Sequence, residues 1–307
     1  MYSLAPFPRT GARVILGCGN FGGIGSAPEL FGKGESEEEA FAVMDAAWEA
    51  GIRWFDTADA YGGGRSERMI GNWVRATGSL PRITTKTFNP MDSGEDSGLS
   101  RERILRQIET SLQRLGLERV DLYLAHEFDL GTPLPETFGA FEELVEAGTI
   151  RAYGVSNFSA SQLEAALGAG RPAVVQNSYS LLERGDEEAV LPLCADHDVQ
   201  YQVFSPLAGG WLTGKYRRGE EYPEGSRMTL RPESYLHLDV DSVHDGLDRL
   251  HDRGDPATLS LAWVLSNPIV SAVVVGPRRP EHLRPALEAL ELELSQGERE
   301  EIASFFP

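Results

Sequence analysis

Cysteine is scarce in this sequence: Cys18 and Cys194 are the only two, and they lie far apart along the chain. Both stand beside apolar residues, so we expect two buried thiols rather than a disulfide framework, which fits a reducing compartment. Long apolar runs are also missing, and no stretch reaches the roughly 20 residues that a membrane-spanning helix requires. Residues 1–20 show no basic segment followed by an apolar run and a cleavage site. We therefore expect a cytoplasmic protein.

Basic residues are few, since 28 Lys and Arg stand against 47 Asp and Glu and the formal net charge is −19. A surface of this sign repels nucleic-acid phosphates and anionic lipid. We therefore expect neither nucleic acid nor a membrane as a partner. The pair Arg278-Arg279 stands out against this background, because an acidic protein that binds an anionic cofactor needs a local positive site.

The sequence alternates short apolar, β-branched runs with longer amphipathic ones. Eight consecutive β–α units predict an α/β fold, a closed (β/α)8 TIM barrel, with residues 1–307 as one domain; an open doubly wound sheet is the alternative. A long insertion at about 205–255 follows the seventh strand and contains a predicted helix at 242–254, and a C-terminal helix is predicted within 295–306. The predicted strands are 13–17, 52–56, 82–86, 120–125, 150–156, 173–177, 199–205 and 269–276. The predicted helices between them are 35–51, 66–78, 100–116, 135–148, 159–170, 187–197, 256–267 and 280–291, the first with Ser36 and Glu39 spaced as a capping box.

Polar or chemically distinctive residues stand at the predicted carboxyl ends of these strands, although the strand bodies are apolar. In a barrel these ends meet at one mouth, where active sites are found. The set that should converge there consists of Asp56, Lys86, His126, Ser156, Asn157, Gln176, Phe204, Ser205 and Gly276.

The segment WFDTADAYGGGRSE, residues 54–67, places Tyr61 five residues after Asp56 in a glycine-rich turn. A free tyrosine has a pKa of about 10 and is a poor acid near neutrality. An ammonium group from Lys86 would lower that pKa, Asp56 would keep the lysine charged, and His126 could share a hydrogen bond at the reacting oxygen. Each residue alone has an ordinary structural explanation, such as a cap or a surface position. Their convergence on neighbouring strand ends predicts an acid–base site.

Several of these segments resemble those of the aldo-keto reductase superfamily. GIRWFDTADAYGGGRSERMIG (51–71), ITTK (83–86) and DLYLAH (121–126) resemble the segments that carry the family's catalytic tetrad. GVSNF (154–158), VVQNSYS (174–180), FSPLAGGWLTGKY (204–216) and GPRRPEHL (276–283) resemble its cofactor-binding segments. The resemblance covers essentially the whole chain. It implies hydride transfer with a nicotinamide cofactor, Tyr61 as proton donor, Lys86 and Asp56 as the residues that tune it, and His126 as the residue that orients a carbonyl substrate.

The resemblance also implies where the cofactor binds. Ser156, Asn157 and Gln176 would hold the carboxamide, and Phe204 would stack on the nicotinamide ring. The segment with Ser205, Leu207, Gly209 and Lys215 would meet the pyrophosphate, and the final segment would supply Gly276, Arg278 and His282. Arg278 stands where the family commonly contacts a 2′-phosphate, which favours NADP(H). Relatives tend to carry Gln and Asn where this chain has His282 and Ala286, so use of NAD(H) stays open.

The residues leave the substrate open among aldehydes, ketones and sugars. Phe21 and Phe88 follow strand ends and are candidates to line its pocket. A non-catalytic, nicotinamide-nucleotide-binding regulatory subunit of the same fold is the alternative function. A metal-dependent lyase is disfavoured, because no set of His and carboxylate residues at the strand ends supplies three metal ligands, and we predict no metal site. The oligomeric state does not follow from the sequence.

Overall fold

The architecture is a closed barrel of eight parallel strands in a computed structural model that describes residues 13–91 and 96–307. Each strand pairs with the next along the chain, and β1 closes the barrel by pairing with β8. The TIM barrel prediction is therefore confirmed and the open sheet is wrong. The strands are β1 Val14–Gly17, β2 Trp54–Asp56, β3 Arg82–Thr87, β4 Val120–Ala125, β5 Ile150–Ser156, β6 Val174–Ser178, β7 Gln200–Phe204 and β8 Val270–Val275.

Two predictions extend beyond the described residues. The assignment of residues 1–307 to one domain includes residues 1–12 and 92–95, and the argument about a leader segment concerns residues 1–20. Both stay predictions.

Helices surround the barrel, and all the predicted ones are found with shifts of a few residues at their ends. At the start of the first helix, Ser36 Oγ accepts a hydrogen bond from the backbone of Glu39, and Glu39 Oε2 accepts one from the backbone of Ser36. The predicted capping box is thus confirmed. The helices are α1 Glu37–Glu49, α2 Arg65–Thr77, α3 Arg101–Leu115, α4 Leu134–Glu146, α5 Ala160–Ala169, α6 Val190–Asp196, α7 Arg227–Leu230, α8 Asp241–Arg253, α9 Pro256–Leu265, α10 Arg284–Leu290 and α11 Gln296–Ala303.

Alternate residues of each strand pack on opposite sides of the barrel wall. Ile15 and Trp54 belong to the cluster inside the barrel, whereas their neighbours Leu16 and Phe55 pack outward against the helices. The period of two continues to the strand ends. Asp56 therefore points to the barrel interior like Trp54 two residues before it, and Gln176 points there like Val174.

The insertion after β7 contains the helix predicted at 242–254 and several further short elements. It contains a 3-10 turn at Ala208–Thr213, the short helix α7, further 3-10 turns at Pro232–Ser234 and Leu236–Leu238, and α8. Trp211 anchors it, since its ring lies 5.0 Å from that of Tyr216 and 5.5 Å from that of His244. The C-terminal helix α11 is also found, and Arg299 of α11 stacks 4.1 Å from the ring of Trp263 on α9.

Both cysteines are buried free thiols. Across the described part of the chain, no helix combines the length and apolar character needed to cross a bilayer.

Candidate active site

Four side chains predicted from the strand ends meet at one mouth of the barrel. Asp56 ends β2, Lys86 lies near the end of β3, and His126 directly follows β4. Tyr61 lies in the turn after β2. A Cβ on Gly62, whose φ is +58°, would come within 2.9 Å of the backbone of Phe21 and Gly22. Glycine therefore lets this turn lie directly against the loop after β1, and that packing positions Tyr61.

Lys86 lies at the centre of this group. Its Nζ forms an ion pair with Asp56, donates to the carbonyl oxygen of Thr57 at 3.0 Å and reaches the Tyr61 hydroxyl at 3.4 Å. The imidazole of His126 meets the Tyr61 ring edge-on with centroids 5.6 Å apart. The lysine is almost fully buried, with 1% of its surface exposed.

The electrostatics of Lys86 agree with the sequence argument. Burial alone lowers the pKa of this amine, but Asp56 and Tyr61 outweigh burial, and the pKa ends above its ordinary value. Lys86 is therefore a cation at neutral pH. The imidazole of His126 behaves oppositely, because burial and then the charge of Lys86 lower its pKa to about 3. This histidine is neutral at pH 7.

The pKa of Tyr61 lies above its ordinary value, so the expected lowering is wrong. Burial raises this pKa and exceeds the opposing effect of Lys86. The sequence argument counted the cation but not the desolvation that the surrounding loops impose. The phenol is consequently protonated through neutral pH, which is the state that a general acid requires.

Asp56 is held from inside the barrel as well. Gln176 Nε2 donates to Asp56 Oδ2 at 2.8 Å and to Gln202 Oε1 at 3.1 Å. The amide nitrogen of Gln176 thus supports the aspartate, and its Oε1 is the atom that would meet a carboxamide. Ser156 is buried at the end of β5, and Asn157 next to it has a φ of +59°. Asn157 Nδ2 contacts the carbonyl oxygen of His126 at 2.9 Å.

Basic side chains gather beside the mouth, where the insertion meets the loop after β8. Burial, followed by the charges of Arg227 and Arg278, lowers the pKa of Lys215. Arg278 Nε pairs with the buried Glu35 at 2.6 Å. A cluster of cations in a protein of net charge −19 fits an anionic group such as a phosphate. Arg227 was not found from the sequence, because it lies in the long insertion and no strand end marks it.

The backbone between β7 and α7 adds donors to this basic cluster. Positive φ angles occur at Ser205, Ala208, Gly209 and Gly210, and successive turns of this kind direct N–H groups toward one side. A Cβ on Gly209 would come within 2.5 Å of the Tyr235 ring, so the insertion folds closely over this segment. The loop and the basic cluster together fit the pyrophosphate of a dinucleotide.

The remaining predicted cofactor residues surround the same region. Phe204 is half-buried at the end of β7, and Leu207 lies in the turn that follows. Gly276 is exposed just after β8. His282 is exposed, and its Nδ1 lies 3.3 Å from the backbone N–H of Arg278. Ala286 is buried and presents no group to an adenine.

The two predicted pocket phenylalanines differ. Phe88 is half-buried in the loop after β3. Phe21 is fully buried and packs in the core between the barrel wall and the helices. Its assignment to the pocket wall is therefore wrong, because the ring packs in the layer between the barrel and the helices and has no exposed surface. Among the described residues, no group of three His, Cys, Asp or Glu side chains could hold a metal ion.

Comparison with known proteins agrees with this fold. The sequence pattern of the Aldo/keto reductase family matches residues 13–306, and the chain belongs to this family. It is 34% identical to "Uncharacterized oxidoreductase YrpG" of Bacillus subtilis over 97% of this chain and 94% of that protein. It is also 34% identical to "Probable voltage-gated potassium channel subunit beta" of Arabidopsis thaliana, over 85% of each chain. Among solved structures it resembles the glycerol dehydrogenase AKR11B4 from Gluconobacter oxydans, with a TM-score of 0.82 and 26% identity over 95% of this chain and 90% of that one.

Proposed function

We propose that this protein is an NADP(H)-dependent reductase of small carbonyl compounds, namely aldehydes, ketones or sugars, with Tyr61 as the general acid. The observation that carries the proposal is the position of Lys86 Nζ, which pairs with the Asp56 carboxylate and lies 3.4 Å from the Tyr61 hydroxyl. A binding protein has no need of a buried cation aimed at a phenol. An enzyme that protonates a developing alkoxide does need one.

The chemistry follows from the charge states at the mouth. A nicotinamide held at the mouth would supply the hydride for the carbonyl carbon. Tyr61 donates its proton to the carbonyl oxygen, and the adjacent ammonium of Lys86 stabilises the phenolate left behind. Asp56 keeps Lys86 charged. Neutral His126 orients the carbonyl oxygen without adding a charge to the site.

The cofactor contacts form the second part of the proposal. Small polar groups on β5 and β6 would hold the carboxamide, an aromatic ring at the end of β7 would stack on the nicotinamide, and the basic cluster would meet the phosphates. Arg278 would pair with a 2′-phosphate, which favours NADP(H), whereas the buried Ala286 leaves NAD(H) possible. The residues proposed for cofactor binding are Ser156, Asn157, Gln176, Phe204, Ser205, Leu207, Gly209, Lys215, Gly276, Arg278 and His282, together with Arg227 of the basic cluster.

Tyr61→Phe tests the catalytic role. The variant should bind NADPH as the wild type does and reduce an active aldehyde roughly 10²- to 10⁴-fold more slowly, because only the general acid is lost. Tyr123→Phe is the matched control, because it removes a buried hydroxyl from the side of β4 that faces the helices. Turnover that is unchanged in Tyr61→Phe would refute the proposal.

A non-catalytic regulatory subunit is the second candidate, because a relative named as a potassium-channel β subunit is 34% identical to this chain over 85% of its length. The two functions predict different results in a screen of wild-type protein against aldehydes, ketones and sugars. Tight NADPH binding with no oxidation by any carbonyl compound would favour the regulatory role.

A further inference from the structure

The imidazole of His126 has a polar neighbour that the proposed proton transfer does not use. Its Nδ1 lies 3.3 Å from the side-chain amide nitrogen of Asn89, in the loop after β3. The backbone of His126 is also fixed, since its N–H donates to the carbonyl oxygen of Thr87 at 3.0 Å. With Nδ1 engaged in this way, Nε2 is the ring nitrogen left for a substrate.

Asn89 is itself held by a buried arginine. Arg103 of α3 is 1% exposed, and its Nη2 donates to the carbonyl oxygen of Asn89 at 2.7 Å. The same guanidinium donates through Nη1 to the Thr87 hydroxyl at 2.7 Å and to the carbonyl oxygen of Gly98 at 3.1 Å. The guanidinium of Arg103 thus fixes the backbone at Asn89, so the Asn89 amide meets His126 from a defined position.

The direction of this contact determines where the histidine carries its proton. A neutral imidazole has one N–H and one bare nitrogen, and the low pKa of His126 keeps it neutral at pH 7. An amide N–H can donate only to the bare nitrogen. If Asn89 donates to Nδ1, the proton must lie on Nε2, where it can donate to the substrate carbonyl oxygen that Tyr61 protonates.

We propose that Asn89 is a positioning residue that fixes His126 as the Nε2–H tautomer and so makes it a hydrogen-bond donor to the carbonyl substrate. The inference rests on the proposed function, because only a substrate oxygen at the mouth requires a donor at Nε2. The wrong tautomer would present a lone pair to that oxygen and repel it.

The tautomer can be read directly by nitrogen-15 NMR of the imidazoles, with the His126 signals assigned from their loss in His126→Gln. Wild-type protein should show a protonated Nε2 and a bare Nδ1 at pH 7. In Asn89→Asp a carboxylate replaces the donor, so the proton should move to Nδ1 or the ring should become charged. Asn89→Ala should give a mixture of tautomers. Asn72→Asp on α2, which adds the same charge but contacts Glu37 of α1, should leave the His126 signals unchanged.

Kinetics provide the second measurement. Asn89→Ala should lower kcat for carbonyl reduction about tenfold and Asn89→Asp about 100-fold or more, since losing one donor at the developing oxyanion has an effect of that order. NADPH binding should change little in either variant. A wild-type spectrum with the proton on Nδ1 would overturn the inference, as would an Asn89→Asp variant with wild-type tautomer and kcat. If the tautomer is as expected but the wild type reduces no carbonyl compound, the proposed function fails while the tautomer assignment holds.

Discussion

Gln176 reaches across the interior of the barrel to hold Asp56, with its amide nitrogen 2.8 Å from Oδ2. Their strands, β6 and β2, are not neighbours in the sheet, so this hydrogen bond spans the interior. The other carboxylate oxygen of Asp56 pairs with Lys86. Gln176 therefore orients the carboxylate that keeps the lysine charged, in addition to any contact with a cofactor.

Replacing Gln176 by Met should cost about 2 kcal/mol of unfolding free energy, because a hydrogen bond to a buried charged group contributes about that much. Urea denaturation measures the change. Gln202→Met is the matched control on the adjacent strand. Gln202 Nε2 is buried without a hydrogen-bond partner among the described residues, and Asp56 keeps its donor in this variant. A larger loss in Gln202→Met would contradict this account of the interior.

Arg278 should discriminate between the two nicotinamide cofactors. Its guanidinium is already oriented by Glu35 and by the carbonyl oxygen of Gly225 at 2.7 Å. A charge-assisted contact with a 2′-phosphate contributes roughly 1.5–3 kcal/mol, so Arg278→Ala should weaken NADPH binding roughly 10- to 100-fold. NADH lacks this phosphate and should lose little affinity.

Fluorescence titration with both cofactors measures this effect. Arg279→Ala removes the same charge from the next, exposed position and should affect both cofactors slightly and equally. Equal losses of NADPH and NADH affinity in Arg278→Ala would assign the arginine to the shared part of the dinucleotide.

Much of this site follows from local rules applied to the sequence. The period of two along each strand and the convergence of strand ends in a barrel bring Asp56, Lys86 and His126 together. The residues that were missed depend on long-range packing instead. Arg227 comes from an insertion without a regular pattern. Asn89 enters the proposed site only through its contact with His126, 37 positions away.

The two errors have the same origin. The sequence showed that Tyr61 and Phe21 follow strands, but not how deeply the adjoining loops cover them. Burial raises the pKa of Tyr61 more than Lys86 lowers it, and close packing also buries Phe21 in the core.

The helix layer contains a buried ion pair that should be important for stability. Arg114 of α3 lies 3.1 Å from Glu67 of α2, which is 0% exposed and also accepts a hydrogen bond from Thr85 at 2.7 Å. Arg114→Met would leave the carboxylate buried without its cation and should cost about 3–5 kcal/mol. Arg101→Met on the same helix breaks an exposed pair with Glu143 and should cost about 1 kcal/mol or less. Similar losses for both variants in urea denaturation would refute a special role for the buried pair.

Asp59 should make stability depend on pH. This carboxyl is fully buried. Burial and then the charge of Glu67 raise its pKa to about 7, although Thr87 and Arg103 partly oppose them. The folded protein therefore holds this proton between about pH 4 and pH 7, where the unfolded chain has lost it.

The sign of the effect follows from this proton count. The raised pKa contributes stability below about pH 4, and that contribution is lost as the pH rises to about 7, by roughly 1.4 kcal/mol for each pH unit in the window. Asp59→Asn removes the titration. Its unfolding free energy relative to wild type should therefore increase between pH 5 and pH 8, by about 2–3 kcal/mol. Asp248→Asn, an exposed position on α8, is the control and should show no such increase. A relative stability of Asp59→Asn that is constant with pH would mean that Asp59 is already ionised in the folded protein.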